Sequence, residues 1–272
     1  MTIVGTSLPY YLEEGLGSRV ILMLHGIGGG HQAFAPQMSA LAAHGWRALA
    51  WDMPGYGYSR TVEPYTMESL AQSCLDLIAV LDVGPVVLLG HSMGGMVAQE
   101  VAARAPEAVA GLVLAATSPA FGSRDGPWQK AFLTSRTAPL DAGKSMAQLA
   151  RTLVLEMVAE KSAESVVRAL TNIMAAVPAA TYRHALGALV EFDRRAELDS
   201  IRVPTLVVAG KSDRNAPPAV MEKMAGRIPR AHYRTIEGAG HLLHWEQPDA
   251  FNAILVAFLD ECFPLPHASE AP

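Results

Sequence analysis

The chain has 272 residues, half of them apolar and 17% charged, with a formal net charge of -5 at pH 7. That length buries a large core and fits one α/β domain with an insertion better than two small domains. A net negative chain without a Lys/Arg stripe lacks the electrostatic footprint of a nucleic-acid binder, so a small molecule is the expected partner.

Cys74 and Cys262 lie far apart, each in step with an apolar helical stripe, and a pair is too few for a disulfide framework. They read as reduced core residues, which fits a cytoplasmic protein. The opening Met1-Thr2-Ile3-Val4-Gly5-Thr6 has no basic stretch leading into an apolar one, and later apolar runs are broken by charge, Pro or Gly before they reach spanning length. A soluble, untargeted protein with no membrane partner is expected. Association into a homo-oligomer stays open.

Along the chain, apolar runs of strand length alternate with helical patterns, the rhythm of a mostly parallel sheet covered on both faces. The first run, Val20-Ile21-Leu22-Met23-Leu24, leads into the glycine-rich His25-Gly26-Ile27-Gly28-Gly29-Gly30. The second, Arg47 to Trp51, ends at Asp52 and the turn-rich Met53-Pro54-Gly55-Tyr56-Gly57. A helical stripe (Leu70, Cys74, Leu77, Ile78, Leu81) separates it from Val86-Val87-Leu88-Leu89, which runs into Gly90-His91-Ser92-Met93-Gly94-Gly95 and a helix expected over Met96 to Arg104. Gly111 to Ala115 is the next strand.

The rhythm then breaks between about Gly122 and Leu198, where Trp128, Phe132, Leu149, Leu153, Met157, Val166, Leu170, Met174 and Leu186 fall at roughly helical spacing. So long a stretch cannot be a structureless loop, and a helical lid over the sheet is the reasonable reading. Strands at Thr205 to Ala209 and His232 to Ile236 resume the sheet, and Phe251, Ile254, Leu255, Phe258 and Cys262 mark a last core helix. The expected organisation is a core in two parts, 1–121 and 199–263, a helical cap over 122–198, and a fraying tail over 264–272.

Ser92 sits among small residues where a buried strand reverses into a helix, the setting of a nucleophile elbow. An ordinary helix-start serine would explain Ser92 but not the glycines around it. A serine hydroxyl needs a base and an acid to orient that base. Asp213 follows the strand ending at Ala209, and His241 follows the last strand in Glu237-Gly238-Ala239-Gly240-His241. Loops at the carboxyl ends of parallel strands are where such sheets build sites. A turn or capping role is the competing reading of Asp213. Asp52 and Asp125 are weaker acid candidates, Asp52 as a structural turn residue.

Acyl transfer also needs two donors for a developing oxyanion. These are expected to be the N–H groups of Met93 and Ile27, with Gly28 as the fallback. His25 reads as a structural hydrogen-bonding residue of its loop, and His91 as packing beneath the elbow. No Lys-Ser or Lys-Thr follows the glycine run, so a phosphate cradle is disfavoured. His31, His44, His184 and His244 lack metal-ligand spacing, so neither a metal site nor a cofactor is expected. Pocket candidates are Trp128, Phe132, Met157, Met174 and Leu242, although apolar stripes more often pack against protein than ligand. Arg136, Arg183, Arg194 or Arg195 could hold a substrate carboxylate, against a reading of all four as solvated surface residues.

Through His25-Gly26, Asp52-Met53-Pro54-Gly55-Tyr56-Gly57-Tyr58-Ser59, Gly90 to Gly95, Asp213 and Gly240-His241, the chain resembles the α/β-hydrolase fold superfamily over nearly its whole length. The resemblance implies a mostly parallel sheet flanked by helices, with a helical cap inserted after the sixth strand. Gly-His-Leu-Leu-His-Trp-Glu-Gln-Pro at 240 to 248 looks most like the bacterial group of 3-oxoadipate enol-lactonases, carboxylesterases and meta-cleavage-product C–C hydrolases. That group implies a serine hydrolase of a small ester, lactone or β-diketone, often in breakdown of aromatic compounds. The C–C hydrolases carry Asn before the nucleophile and Trp after the catalytic His, where this chain has His91 and Leu242, so that reading ranks second. A non-catalytic ligand receptor on the same fold is the alternative from another class.

Overall fold

The computed structural model describes residues 8–122 and 126–264. The candidate acid Asp125, the first residues and the tail after Pro264 lie outside the described residues.

Seven strands form one sheet: β1 (Tyr11–Glu14), β2 (Arg19–Leu24), β3 (Trp46–Trp51), β4 (Val86–His91), β5 (Val109–Ala115), β6 (Thr205–Gly210) and β7 (Ala231–Ile236), in the spatial order β1-β3-β2-β4-β5-β6-β7. Among the described residues only β1 is antiparallel to its neighbour. In β2, Val20, Leu22 and Leu24 join one hydrophobic cluster while Ile21 and Met23 join another across the sheet. Successive strand side chains point to opposite faces, and both faces here are covered, so the run reads as continuously apolar.

The helices in chain order are α1 (Ala35–Ala43), α2 (Met67–Leu81), α3 (Met93–Arg104), α4 (Pro127–Asp141), α5 (Met146–Met157), α6 (Glu164–Ala175), α7 (Ala179–Glu191), α8 (Pro218–Ala225), α9 (Leu243–Glu246) and α10 (Pro248–Cys262). Helix α2 buries Leu70, Cys74, Leu77 and Ile78, and its N-terminus is capped by the Thr66 hydroxyl, which accepts from the Ser69 N–H at 3.2 Å. Such a cap is worth about 1 kcal/mol. Helices α1 and α10 cover one face of the sheet. The other is covered by α2, α3 and α8, and the apolar stripes of α5, α6 and α7 join the same cluster.

Two expectations change. Among the described residues the helical insertion α4–α7 follows the fifth strand, β5, rather than a sixth. Helix α3 begins at Met93, directly after Ser92, rather than at Met96, because Gly94 and Gly95 hide its first turn from a reading based on apolar spacing. Cys74 is fully buried, whereas Cys262 is only half-buried at the edge of its cluster, and both are free thiols. No helix among the described residues is long and apolar enough to cross a membrane.

Candidate active site

Strands β2 and β4 are neighbours, with Leu24 level with Gly90, so the loops after both open side by side at the carboxyl edge of the sheet. Between β4 and α3 the chain turns on Ser92, which takes φ 52 and ψ -119. A non-glycine residue with positive φ is strained, and the surroundings must hold it there. The turn survives because nothing larger than hydrogen stands at its contacts: a Cβ on Gly90 would lie 2.4 Å from the Gly94 carbonyl oxygen, and one on Gly94 would lie 1.9 Å from that of Leu24. Thr117 clamps the same turn by donating its hydroxyl to the Ser92 carbonyl at 2.7 Å.

This brings Ser92, His241 and Asp213 together. The Ser92 hydroxyl donates to His241 Nε2 at 2.9 Å, and His241 Nδ1 donates to Asp213 Oδ2 at 2.8 Å. The other Asp213 oxygen accepts the N–H groups of Asn215 and Ala216 at 2.8 and 3.0 Å, so the buried carboxylate presents one oxygen to the imidazole. Asp213 is therefore both a turn residue and the partner of His241.

Among the described residues the N–H groups of Ile27, Gly28 and Met93 have no protein acceptor. That of Met93 is free because the first N–H groups of a helix have no partner within it. His25 fixes the facing loop: its Nε2 accepts the Met53 N–H at 3.0 Å, which leaves Nδ1 as the donor to the Gly26 carbonyl at 2.8 Å. Burial holds this imidazole down at about 4, so it stays neutral. Asp52 is structural too, accepting from the backbone and ring of His31 and from the Tyr58 N–H.

A cavity opens from Ser92 and His241 beneath the insertion. Trp128, Phe132, Met157 and Met174 all line it, Trp128 at an exposed rim position, while Leu242 lines a smaller adjoining chamber. Of the four candidate arginines only Arg136 reaches the cavity. Arg183, Arg194 and Arg195 are held by Asp141, by Glu100 with Glu197, and by Asp193.

Sequence reasoning missed Phe121, Tyr182 and Arg214 in the cavity wall and, more consequentially, Glu246. One Glu246 oxygen accepts the N–H groups of Gly240 and Leu242 on either side of His241, and the other accepts the Ala159 N–H and the Ser162 hydroxyl after α5. A single carboxylate thus ties the histidine loop to the insertion. The available signal is its place within the Gly240 to Pro248 motif.

Residues 19–248 match the α/β hydrolase fold family, and the chain belongs to that family. Within it lie hydrolases of several kinds. Over 272 aligned residues the chain is 33% identical to part of polyketide synthase ThaQ of Burkholderia thailandensis, covering 96% of this chain but only 13% of that protein. It superimposes on a thermophilic esterase from Thermogutta terrifontis with a TM-score of 0.85 at 26% identity, covering 93% of each chain. An enol-lactonase from Burkholderia xenovorans LB400 gives a TM-score of 0.82 at 27% identity, covering 92% of this chain and 96% of that one.

Proposed function

We propose that this hydrolase cleaves a small carboxylic ester or lactone through an acyl-enzyme on Ser92. The reading is carried by the unbroken hydrogen-bond chain from the Ser92 hydroxyl through His241 to Asp213, at 2.9 and 2.8 Å. Its likeness in fold to an esterase and an enol-lactonase adds support.

Ser92 attacks the carbonyl as its proton passes to His241 Nε2, and Asp213 holds the ring in the tautomer that can accept it and stabilises the imidazolium. The N–H groups of Ile27 and Met93 receive the oxyanion, each such donor contributing about 3 kcal/mol to the transition state. His241 then protonates the leaving oxygen, and water activated by the same ring releases the acid.

The experiment is turnover of a panel of methyl esters and enol-lactones by the wild type and by Ser92→Ala, followed by proton release. The account expects turnover with the wild type and none with the variant, and near wild-type turnover by the variant would refute it.

A further inference from the structure

Two chambers meet at the nucleophile, sharing Ile27, Ser92, Met157, Met174 and His241 as their common wall. Met174 stands in that wall against the glycine loop, its terminal methyl 2.1 Å from where a Cβ on Gly28 would stand. The chambers differ sharply in size. The larger has room for a group of many atoms, and the smaller only for a few waters or an alcohol of one or two carbons.

They differ in chemistry as well. Phe121, Trp128 and Phe132 pack ring against ring along the larger cavity, with centroids 4.9 to 5.8 Å apart. The smaller one reaches His91 and His244, whose rings lie 4.4 Å apart. His244 is 1% exposed, yet among the described residues neither ring nitrogen has a partner at good hydrogen-bond geometry. The Ala33 carbonyl accepts the Trp245 indole N–H at 2.6 Å and is the backbone acceptor that acts, weakly, on the His244 ring. Burial keeps this ring neutral, with its pKa down at about 3. A neutral imidazole has one donor and one acceptor, which is what a hydroxyl group requires. A buried polar ring whose nitrogens lack well-formed hydrogen bonds is costly, so a ligand that satisfies it is favoured.

We propose that the smaller chamber is the subsite for the hydroxylic species of both half-reactions, the leaving alcohol and then water, and that the larger, aromatic-walled cavity takes the acyl group. The inference rests on the serine hydrolase reading above and narrows its substrates to esters of short alcohols with bulky apolar acids. In acylation the Ser92 Oγ–carbon bond forms, the carbon–alkoxy bond breaks, and the serine proton, carried by His241, passes to the alkoxy oxygen in the small chamber. In deacylation a water from that chamber bonds the carbonyl carbon, its proton goes to His241 Nε2, and the carbon–Oγ bond breaks as that proton returns to Ser92. His244 acts as a positioning residue for these species.

The test compares methyl, ethyl, butyl and octyl phenylacetates with methyl esters of progressively larger aromatic acids, alongside the rate at which a fluorophosphonate labels Ser92. In the wild type kcat/KM should fall roughly 100-fold from methyl to butyl, and Ile173→Ala, which widens only the small chamber, should recover about tenfold of it without altering the acid series. His244→Leu should lower kcat on the methyl ester about tenfold while labelling stays within about threefold of wild type, and His244→Gln should restore most of the loss. Butyl and methyl esters turned over within about threefold of each other by the wild type would overturn the proposal. So would an Ile173→Ala effect shared equally by both series, or a His244→Leu loss matched in labelling. A wild type that takes neither ester nor probe would defeat the hydrolase reading itself, an outcome distinct from all of these.

Discussion

His91 donates its Nε2 hydrogen to the carbonyl oxygen of His241 at 2.8 Å. The residue before Ser92 therefore holds the backbone of the histidine to which the Ser92 hydroxyl donates. This bond lies within a group of buried imidazoles, since His91 also packs its ring 5.2 Å from that of His241 and 4.4 Å from that of His244.

Burial gives that group a pH signature. His25 and His244 are depressed to about 4 and about 3, and His91 lies well below the ordinary histidine value of 6.5, first by desolvation and then by its neighbouring histidines. Above the ordinary value these rings are neutral whether the chain is folded or not, so they do not couple stability to pH. Below it the unfolded chain binds protons that the fold refuses, and stability falls by about 1.4 kcal/mol per pH unit for each such ring until its folded value is reached. Calorimetry between pH 8 and pH 4 should give a melting temperature that is level at the alkaline end and drops steeply below about pH 6. His244→Leu should make the drop shallower, and an unchanged slope would contradict the assignment of that ring.

Glu246 should matter although it touches no reacting atom. Its two oxygens accept four hydrogens from the histidine loop and the insertion. Glu246→Gln replaces one acceptor oxygen by an NH2 group facing N–H donors, and the loss should be about 3 kcal/mol, or roughly 10 °C in melting temperature. Below that temperature kcat should fall while KM holds, because the base is displaced rather than the pocket. Unaltered kcat and melting temperature would show that the loop is held by other contacts.

Asp213→Asn should keep the fold and the two hydrogen bonds from Asn215 and Ala216 to the retained oxygen. The new amide presents N–H to His241 Nδ1, which turns the imidazole to the wrong tautomer. Ester turnover should drop on the order of 10³- to 10⁴-fold, with a circular dichroism spectrum like the wild type. A loss under about tenfold would place the orienting acid elsewhere.

Much of the site was legible because its members stand next to strong local signals. Ser92 and Asp213 each follow a buried strand, and a run such as Val86 to Leu89 announces itself by composition, while His241 follows the half-exposed edge strand β7 and is marked by the small residues Gly238-Ala239-Gly240 before it. Strand β1 was missed for the converse reason: Tyr11–Glu14 is short, largely exposed and half acidic, and it exists because it pairs antiparallel with the well-buried β3. Nothing in a single sequence shows that the donors after α5, more than eighty residues earlier, converge on Glu246. The division of the cavity by Met157 and Met174 was equally hidden, because it depends on how α5 and α6 lie over the glycine loop.

The most direct test is intact-mass and peptide analysis of protein treated with a fluorophosphonate, for the wild type, Ser92→Ala and His241→Ala. The account predicts one adduct, carried on Ser92, absent from the serine variant and formed on the order of 10³-fold more slowly in the histidine variant. An unmodified wild type, or an adduct on any other residue, would contradict it.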